Sequence, residues 1–168
     1  MPPIFAMRYT LCFVQQGDDV LMLHRNQPPN QGLWNGVGGH IEPGEAPLQA
    51  LLREVQEETG LALPSARFAG LLTWTGFETP PGGLYIYTAP LSEGNPPDLH
   101  LSDEGELAWK PRAWVCSAPE VVSNIHVFAP AVLSGAAPQW WHFDYHNGAI
   151  RRHQVLPIPA NLPAGTLG

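Results

Sequence analysis

The sequence contains few cysteines, few charged residues and no long apolar run. Two cysteines, Cys12 and Cys116, cannot supply a disulfide scaffold, and they do not form the Cys-x-x-Cys pair that is typical of zinc sites. No apolar run approaches the ~18–20 residues that a membrane-spanning helix needs, so we expect no membrane partner. Residues 1–5 lack the basic start and apolar stretch of a signal peptide. Together these absences predict a reducing, cytoplasmic location.

Positive charge is also scarce, since 8 Lys and Arg stand against 15 Asp and Glu and the formal net charge is −7. A protein that binds a nucleic acid polymer normally presents a basic face, and none is visible here, so we expect no such partner. An acidic protein can still bind a polyanion when metal ions lie between the two. The hydrophobic fraction of 44% excludes disorder throughout, and 19 Pro with 17 Gly favour loops over a helical bundle.

The pattern of apolar residues predicts an α+β fold, a mixed sheet sandwiched between helices. The predicted strands cover residues 9–14, 20–24, 68–77, 84–89 and 106–109, with a Pro-Gly-rich connection at 79–83. A terminal hairpin is predicted at 140–155, because Asn147-Gly148 favours a type I′ turn. One or two short helices interrupted by Pro130 are expected within 118–134. We expect one domain at 1–156 and a loose tail at 157–168.

The strongest predicted helix covers residues 46–59 and collects carboxylates on one side. Pro47 suits its first turn and Gly60 suits its end. Glu54, Glu57 and Glu58 follow the spacing i, i+3, i+4, which places them within about one third of the helix circumference. Like charges at this spacing destabilise a helix by a few tenths of a kcal/mol per pair. Bound Mg²⁺ or Mn²⁺ would relieve the repulsion, whereas the alternative is an acidic face that is only solvated.

Residues 39–61 resemble a complete Nudix box. The pattern runs from Gly39 through Glu45 to Arg53-Glu54, Glu57-Glu58 and the final Gly60-Leu61. The resemblance implies a Nudix hydrolase fold and hydrolysis of a nucleoside diphosphate linked to another group. It also implies roles for the box residues: Glu57, Glu58 and the Gly39 carbonyl bind the metal, Glu54 binds metal or activates water, Arg53 orients a catalytic glutamate, and Glu45 supports the loop and reaches the metal shell.

The resemblance extends to the MutT-like group, which hydrolyses oxidised purine nucleotides, over roughly residues 8–155. It is carried by residues 9–11, 20–25, 33–39 and 102–106 together with Trp109, and it weakens after Trp114. It implies Mg²⁺-dependent hydrolysis of nucleoside triphosphates to a nucleoside monophosphate and pyrophosphate, with 8-oxo-dGTP as a favoured substrate. Bound cations would lower the pKa of water and stabilise the leaving pyrophosphate.

Three residues are expected to form the base pocket by the same resemblance. Asn35 would read the base edge with its amide, although it equally fits a turn residue before Gly36. Thr10 would point a hydroxyl at the pocket, or it is an ordinary strand threonine. Trp74 would stack on the base, or it packs in the core as strand tryptophans usually do.

Three further residues are weighed in the same way. Arg25 would contact phosphate or sugar, or it is a solvent-exposed arginine. Glu104, in an acidic loop, resembles a carboxylate outside the box that serves as metal ligand or base. The group carries an aspartate, preceded by a tryptophan, near residues 122–126, where this chain has Asn124 and neither of those residues. Asn124 would take the place of the aspartate, and a changed hydrogen-bonding group in a base pocket alters discrimination.

Other functions remain open at this point. The enzyme alternative is a Nudix hydrolase of another diphosphate, such as ADP-ribose, a dinucleoside polyphosphate or an ordinary nucleoside triphosphate. A second class is a nucleotide-sensing module without turnover, but such relatives often lose the helix glutamates that this chain retains. A third class is a structural domain with an acidic helix. The expected partner is a small nucleotide, and the expected oligomeric state is a monomer or a homodimer.

Overall fold

The computed structural model describes residues 7–77, 81–92, 99 and 102–168. Residues 1–5 and the first part of the predicted connection at 79–83 lie outside the described residues. The strands are β1 (Met7–Gln16), β2 (Asp19–Arg25), β3 (Trp34–Asn35), β4 (Arg67–Thr75), β5 (Gly82–Pro90), β6 (Gly105–Pro111), β7 (Gln139–His146) and β8 (Ala149–Leu156). The helices are α1 (Pro47–Thr59), α2 (Arg112–Val115) and α3 (Ile125–Leu133).

The strands form one mixed sheet. Its order is β3-β2-β1-β5-β4-β7-β8, and β6 pairs with β2. The pairs β1–β5 and β4–β7 are parallel, and the remaining pairs are antiparallel. The predicted α+β class with a mixed sheet is therefore confirmed.

Helices cover both faces of the sheet. Leu51 and Val55 of α1 are fully buried in one apolar cluster, together with Tyr87 of β5. Ile125 and Phe128 of α3 belong to a second cluster on the opposite face. Two layers of buried apolar side chains thus fix the sheet between α1 on one side and α2 with α3 on the other.

The helix boundaries agree with expectation for α1 and differ elsewhere. Gly60 ends α1 with φ of 83°, the left-handed conformation that a glycine adopts without strain. One helix, α3, forms where one or two short helices interrupted by Pro130 were expected. Pro130 lies inside it, where its missing N–H removes a single intrahelical hydrogen bond. The four-residue α2 was not predicted, because one helical turn is too short to show periodicity.

The C-terminal tail differs from the loose segment that its composition predicts. Thr166 is only 1% exposed, and its carbonyl accepts a hydrogen bond of 2.7 Å from the Tyr87 hydroxyl. Leu48 N donates to the Gly165 carbonyl at 3.1 Å. Residues 163–166 therefore pack against the sheet and α1.

In the described part of the chain, no helix is long and apolar enough to cross a membrane.

Candidate active site

The loop before α1 lies directly against β1. Thr10 N donates to the Gly39 carbonyl at 2.8 Å, and the Thr10 hydroxyl lies 3.3 Å from the same oxygen. A Cβ on Gly39 would stand 2.3 Å from Oε2 of Glu54. Only a glycine therefore allows the Glu54 carboxylate to approach the loop backbone this closely.

Arg53 is the centre of an ion-pair network between this loop and α1. Its Nε and Nη2 donate to the two oxygens of Glu45, each at 2.7 Å. Its Nη1 donates to Glu54 at 2.9 Å and to Glu57 at 3.1 Å, and Nη2 also reaches the His40 carbonyl at 3.0 Å. The guanidinium thus relieves part of the repulsion that the carboxylate spacing predicts.

The pKa values in this network follow from burial and from Arg53. The hydrogen bond from Arg53 holds the pKa of Glu45 below its ordinary value. Burial raises the pKa of Glu54, and Arg53 opposes that effect. The hydrogen bond with Glu45 in turn raises the pKa of Arg53, so the guanidinium keeps its charge. Arg53 is accordingly placed to hold Glu54 in its ionised form.

Glu58 is the most buried carboxylate of the helix. It is 8% exposed, and its Oε1 has no hydrogen-bond partner among the residues that the structure describes. Burial raises the pKa of Glu58 to about 8, the negative charge of Glu104 acts in the same direction, and a hydrogen bond from the Gly38 backbone lowers it. A buried carboxylate with an unpartnered oxygen is costly unless a cation or proton compensates it.

The carboxylates are not gathered into a ready metal cage. Among residues 7–77, 81–92, 99 and 102–168, no three His, Cys, Asp or Glu side chains form a group that could hold a metal ion. In this arrangement Arg53 forms ion pairs with Glu54 and Glu57. The donor chemistry nevertheless fits Mg²⁺ or Mn²⁺, since every donor is an oxygen and Oε1 of Glu58 lacks a partner within the described part of the chain. Glu54, Glu57, Glu58 and the Gly39 carbonyl would hold such an ion, which would activate water and neutralise phosphate charge.

Divalent cations should therefore stabilise the fold through Glu58. At an Mg²⁺ concentration of ~100 times the dissociation constant, we expect the free energy of unfolding to rise by about 2.7 kcal/mol. This corresponds to a rise in Tm of roughly 5–10 °C. Glu58→Gln should lose most of that rise, whereas the exposed Glu120→Gln should keep it. Scanning calorimetry with and without MgCl₂ measures both variants. An equal rise in wild type and Glu58→Gln would contradict the assignment of Glu58 as a ligand.

A cleft of about 480 Å³ opens beside the loop and α1. All five residues that were predicted to bind substrate line it, as do three that were predicted for the metal or for catalysis. They are Thr10, Arg25, Asn35, Trp74 and Asn124, then Gly39, Glu58 and Glu104. The structure therefore brings these eight residues to one cavity, whereas Arg53, Glu54 and Glu57 are not among its lining residues. The roles of all of them stay predictions.

For Asn35 and Trp74, the structure shows features of both roles that the sequence leaves open. Asn35 Oδ1 accepts a hydrogen bond of 2.9 Å from Gly36 N, so the side chain shapes the turn and also lines the cleft. That bond orients the Asn35 amide, because its oxygen is already engaged. The Thr10 hydroxyl is bonded to Gly39 rather than directed freely into the cleft. Trp74 is 8% exposed, lines the cleft and belongs to the apolar core.

Arg25 joins two loops at the mouth of the cleft. Its Nε donates to the Pro29 carbonyl at 2.7 Å, and its Nη1 lies 3.8 Å from Oε2 of Glu104. Asn26 N donates to the Glu104 carbonyl at 2.9 Å, which ties the same loops together. Arg25 is therefore not the solvent-exposed arginine of the simpler expectation. It holds the Glu104 loop at the cleft.

Sequence reasoning missed an aromatic wall of the cleft. Tyr145 of β7 lines it, packs on Phe77 with ring centroids 4.7 Å apart, and accepts a hydrogen bond of 3.1 Å from Asn124 Nδ2. Tyr9 also lines it and contacts His40, with ring centroids 4.6 Å apart. The only available signal was the alternation of aromatic residues along the predicted hairpin, which shows a buried face without showing that it borders a cavity.

Comparisons with known proteins found a matching family model and several similar proteins. A family model described as NUDIX domain matches residues 6–131. The uncharacterized Nudix hydrolase YvcI of Bacillus subtilis is 36% identical over 112 residues, which cover 62% of this chain and 66% of that protein. The NAD-capped RNA hydrolase NudC of Haemophilus influenzae is 36% identical over 63 residues, or 36% of this chain and 24% of NudC. The matches thus span less than two thirds of these relatives.

A solved structure extends the likeness beyond the sequence matches. The MutT protein from Bacillus halodurans superposes with a TM-score of 0.74 at 26% identity, covering 91% of this chain and all of that one (100%). The overall fold thus has a solved counterpart. The NUDIX match ends at residue 131, so the β7–β8 hairpin that carries Tyr145 lies outside it.

Proposed function

Because this chain belongs to the NUDIX family, we propose that it hydrolyses nucleoside triphosphates to a nucleoside monophosphate and pyrophosphate. The coarser activity, that of a Nudix hydrolase on nucleoside diphosphate derivatives, follows from family membership. Oxidised purine nucleotides such as 8-oxo-dGTP are the proposed preferred substrates. The proposal includes Mg²⁺ as cofactor, a small-molecule partner, a monomer or homodimer, and a cytoplasmic location in which Cys12 and Cys116 stay free thiols.

One observation carries the proposal: a single cleft joins a buried carboxylate, Glu58, and an exposed one, Glu104, to an aromatic and amide surface. Glu58 and Glu104 line the cleft, and so do Trp74 and Asn35. An enzyme for nucleotides needs cation-binding oxygens for the phosphates and flat apolar surface for the base. The cleft offers both within about 480 Å³, which lies in the usual range of small-molecule sites.

Each residue of the site has a proposed role. Glu54, held by Arg53 at 2.9 Å, accepts the proton of the attacking water or binds the ion. Glu57 and Glu58 bind the ion together with the Gly39 carbonyl, and Glu104 adds a further carboxylate from the opposite loop. Trp74 stacks on the base, while Asn35 and Asn124 contact its edge. Thr10 fixes the Gly39 carbonyl, and Arg25 fixes the loop of Glu104.

The ratio of kcat/KM for 8-oxo-dGTP against dGTP tests the preferred substrate. We expect a ratio of ~100 or more with Mg²⁺, equivalent to about 2.7 kcal/mol of discrimination. Tyr145→Phe should change that ratio by a factor of ~5, because it removes about 1 kcal/mol of hydrogen bonding at Asn124. Tyr85→Phe makes the same chemical change in the apolar cluster on the α1 side of the sheet, and it should leave the ratio unchanged. A wild-type ratio near one would overturn the oxidised-purine assignment.

A second candidate, a Nudix hydrolase of another nucleoside diphosphate derivative such as ADP-ribose, is favoured by one feature of the cleft. Its acidic lining residues belong to α1 and to the loop before β6, whereas the segment at 121–126 contributes Val122 and Asn124. The base end thus lacks the aspartate that the resemblance to the oxidised-purine group implies. Preference for ADP-ribose over 8-oxo-dGTP in the same assay would select this candidate.

A further inference from the structure

The N-cap residue of α1 offers no side-chain acceptor to the helix, and a side-chain hydrogen bond at this end runs from Ala46 N to Gln49 Oε1, at 3.4 Å. The residue at its N-cap position is Ala46, which makes no side-chain hydrogen bond to the helix, and Pro47 follows it. The first free N–H of the helix, that of Leu48, donates instead to the carbonyl of Gly165 at 3.1 Å. An acceptor from a distant segment thus replaces the usual Ser, Thr, Asp or Asn cap.

The backbone conformation and the hydrogen bonds of the tail residues favour this contact. Gly165 has φ of 79°, and a Cβ there would stand 2.5 Å from the Cβ of Ala46. Thr166 closes a turn, since its N and its hydroxyl both donate to the Pro163 carbonyl, at 3.2 and 2.7 Å. The Thr166 carbonyl accepts the buried Tyr87 hydroxyl at 2.7 Å. The turn is therefore anchored to the sheet on one side and to α1 on the other.

This contact bears on the site because α1 carries the carboxylates. Arg53 follows Leu48 by five residues, or about 7.5 Å along the helix axis. Glu54 must lie against Gly39, and Glu58 must accept the Gly38 N–H, so α1 must keep its position relative to the loop. A misplacement of about 1 Å in such a site costs ~10²-fold in rate.

We propose that residues 163–166 are a positioning element for the carboxylate helix, which they cap at Leu48 and hold to β5 through Tyr87. The segment lies beyond the NUDIX match, which ends at residue 131. Its effect on cation binding rests on the proposed function, whereas its capping of α1 does not. Metal affinity should therefore depend on the tail, while binding of the base in the cleft should not.

Two glycines make a matched pair for the test. Gly165 and Gly148 have φ of 79° and 77°, but a Cβ on Gly148 meets nothing within 4 Å. Gly165→Ala and Gly148→Ala thus carry the same backbone strain, and only the first pushes on Ala46. Three measurements apply to both: amide hydrogen exchange at Leu48, Mn²⁺ affinity by electron paramagnetic resonance, and affinity for a nucleoside monophosphate by calorimetry without metal.

In Gly165→Ala we expect exchange at Leu48 to accelerate ~5-fold, equivalent to the ~1 kcal/mol that is typical of a capping interaction. We expect Mn²⁺ to bind several-fold more weakly in Gly165→Ala than in Gly148→Ala, with monophosphate affinity equal in the two.

Equal exchange and equal Mn²⁺ affinity in the two variants would overturn the proposal. Loss of monophosphate binding in parallel with Mn²⁺ binding would show a general structural role, which also overturns it. A wild type that binds no Mn²⁺ would contradict the proposed function and the metal role of the tail, and exchange at Leu48 would then decide the capping alone.

Discussion

Glu54→Gln is expected to lower kcat by ~10²–10⁴-fold, the range for loss of a positioned acid–base group. Glutamine keeps an oxygen that can accept the hydrogen bond of 2.9 Å from Arg53 Nη1, so the fold should persist. What the substitution removes is the negative charge and basicity of the second oxygen, which lies against Gly39. Steady-state kinetics with Mg²⁺, using the preferred nucleotide, measure the change.

Comparison with two other glutamates separates this effect from a general loss of charge. Glu57→Gln should also lower kcat, although the Glu57 side chain is 61% exposed and contributes less to the interior of the site. Glu120→Gln removes an exposed charge that is not among the cleft-lining residues, and it should retain wild-type turnover. Equal turnover by wild type, Glu54→Gln and Glu57→Gln would reject the catalytic assignment and favour a nucleotide-sensing module.

Local signals in the sequence were sufficient where the structure itself is local. Pro47 and Gly60 mark the ends of α1 within one residue, because each acts through its own backbone conformation. Asn147 and Gly148 predict the terminal hairpin, and both adopt positive φ, at 50° and 77°. The resemblance at 39–61 likewise depends on a continuous stretch of chain.

Contacts between distant segments could not be predicted in the same way. Tyr145 reaches the cleft because β7 pairs in parallel with β4, which places Asp144 beside Thr75, and nothing in either segment specifies that pairing. The Pro- and Gly-rich composition predicts a loose tail, yet Thr166 is buried and its carbonyl accepts a hydrogen bond from the Tyr87 hydroxyl of β5. The sequence analysis expected Arg53 to orient a glutamate but did not predict its bonds to Glu45 and to the His40 carbonyl. Those bonds depend on how the loop folds back over α1.

The second large effect is expected from Gly39→Ala, which should lower kcat by ~10²-fold by misplacing the reacting groups. The added Cβ would stand 2.3 Å from Oε2 and 2.4 Å from Cδ of Glu54. The Glu54 carboxylate would have to leave this position. Overpacking of this kind typically costs about 1–3 kcal/mol of stability. Kinetics together with urea denaturation measure the two losses separately.

Gly44→Ala distinguishes steric displacement of Glu54 from backbone strain in the same loop. Gly44 has φ of 85° with nothing within 4 Å of its Cβ position, whereas no left-handed φ is found at Gly39. Gly44→Ala should therefore lose about 1–2 kcal/mol of stability through its conformation and keep its turnover. If the two variants lost turnover equally, the close approach of Glu54 to the Gly39 backbone would not be what positions the carboxylate. If only Gly39→Ala lost turnover, the cause would be the clash between the added Cβ and the Glu54 carboxylate, which need the same space.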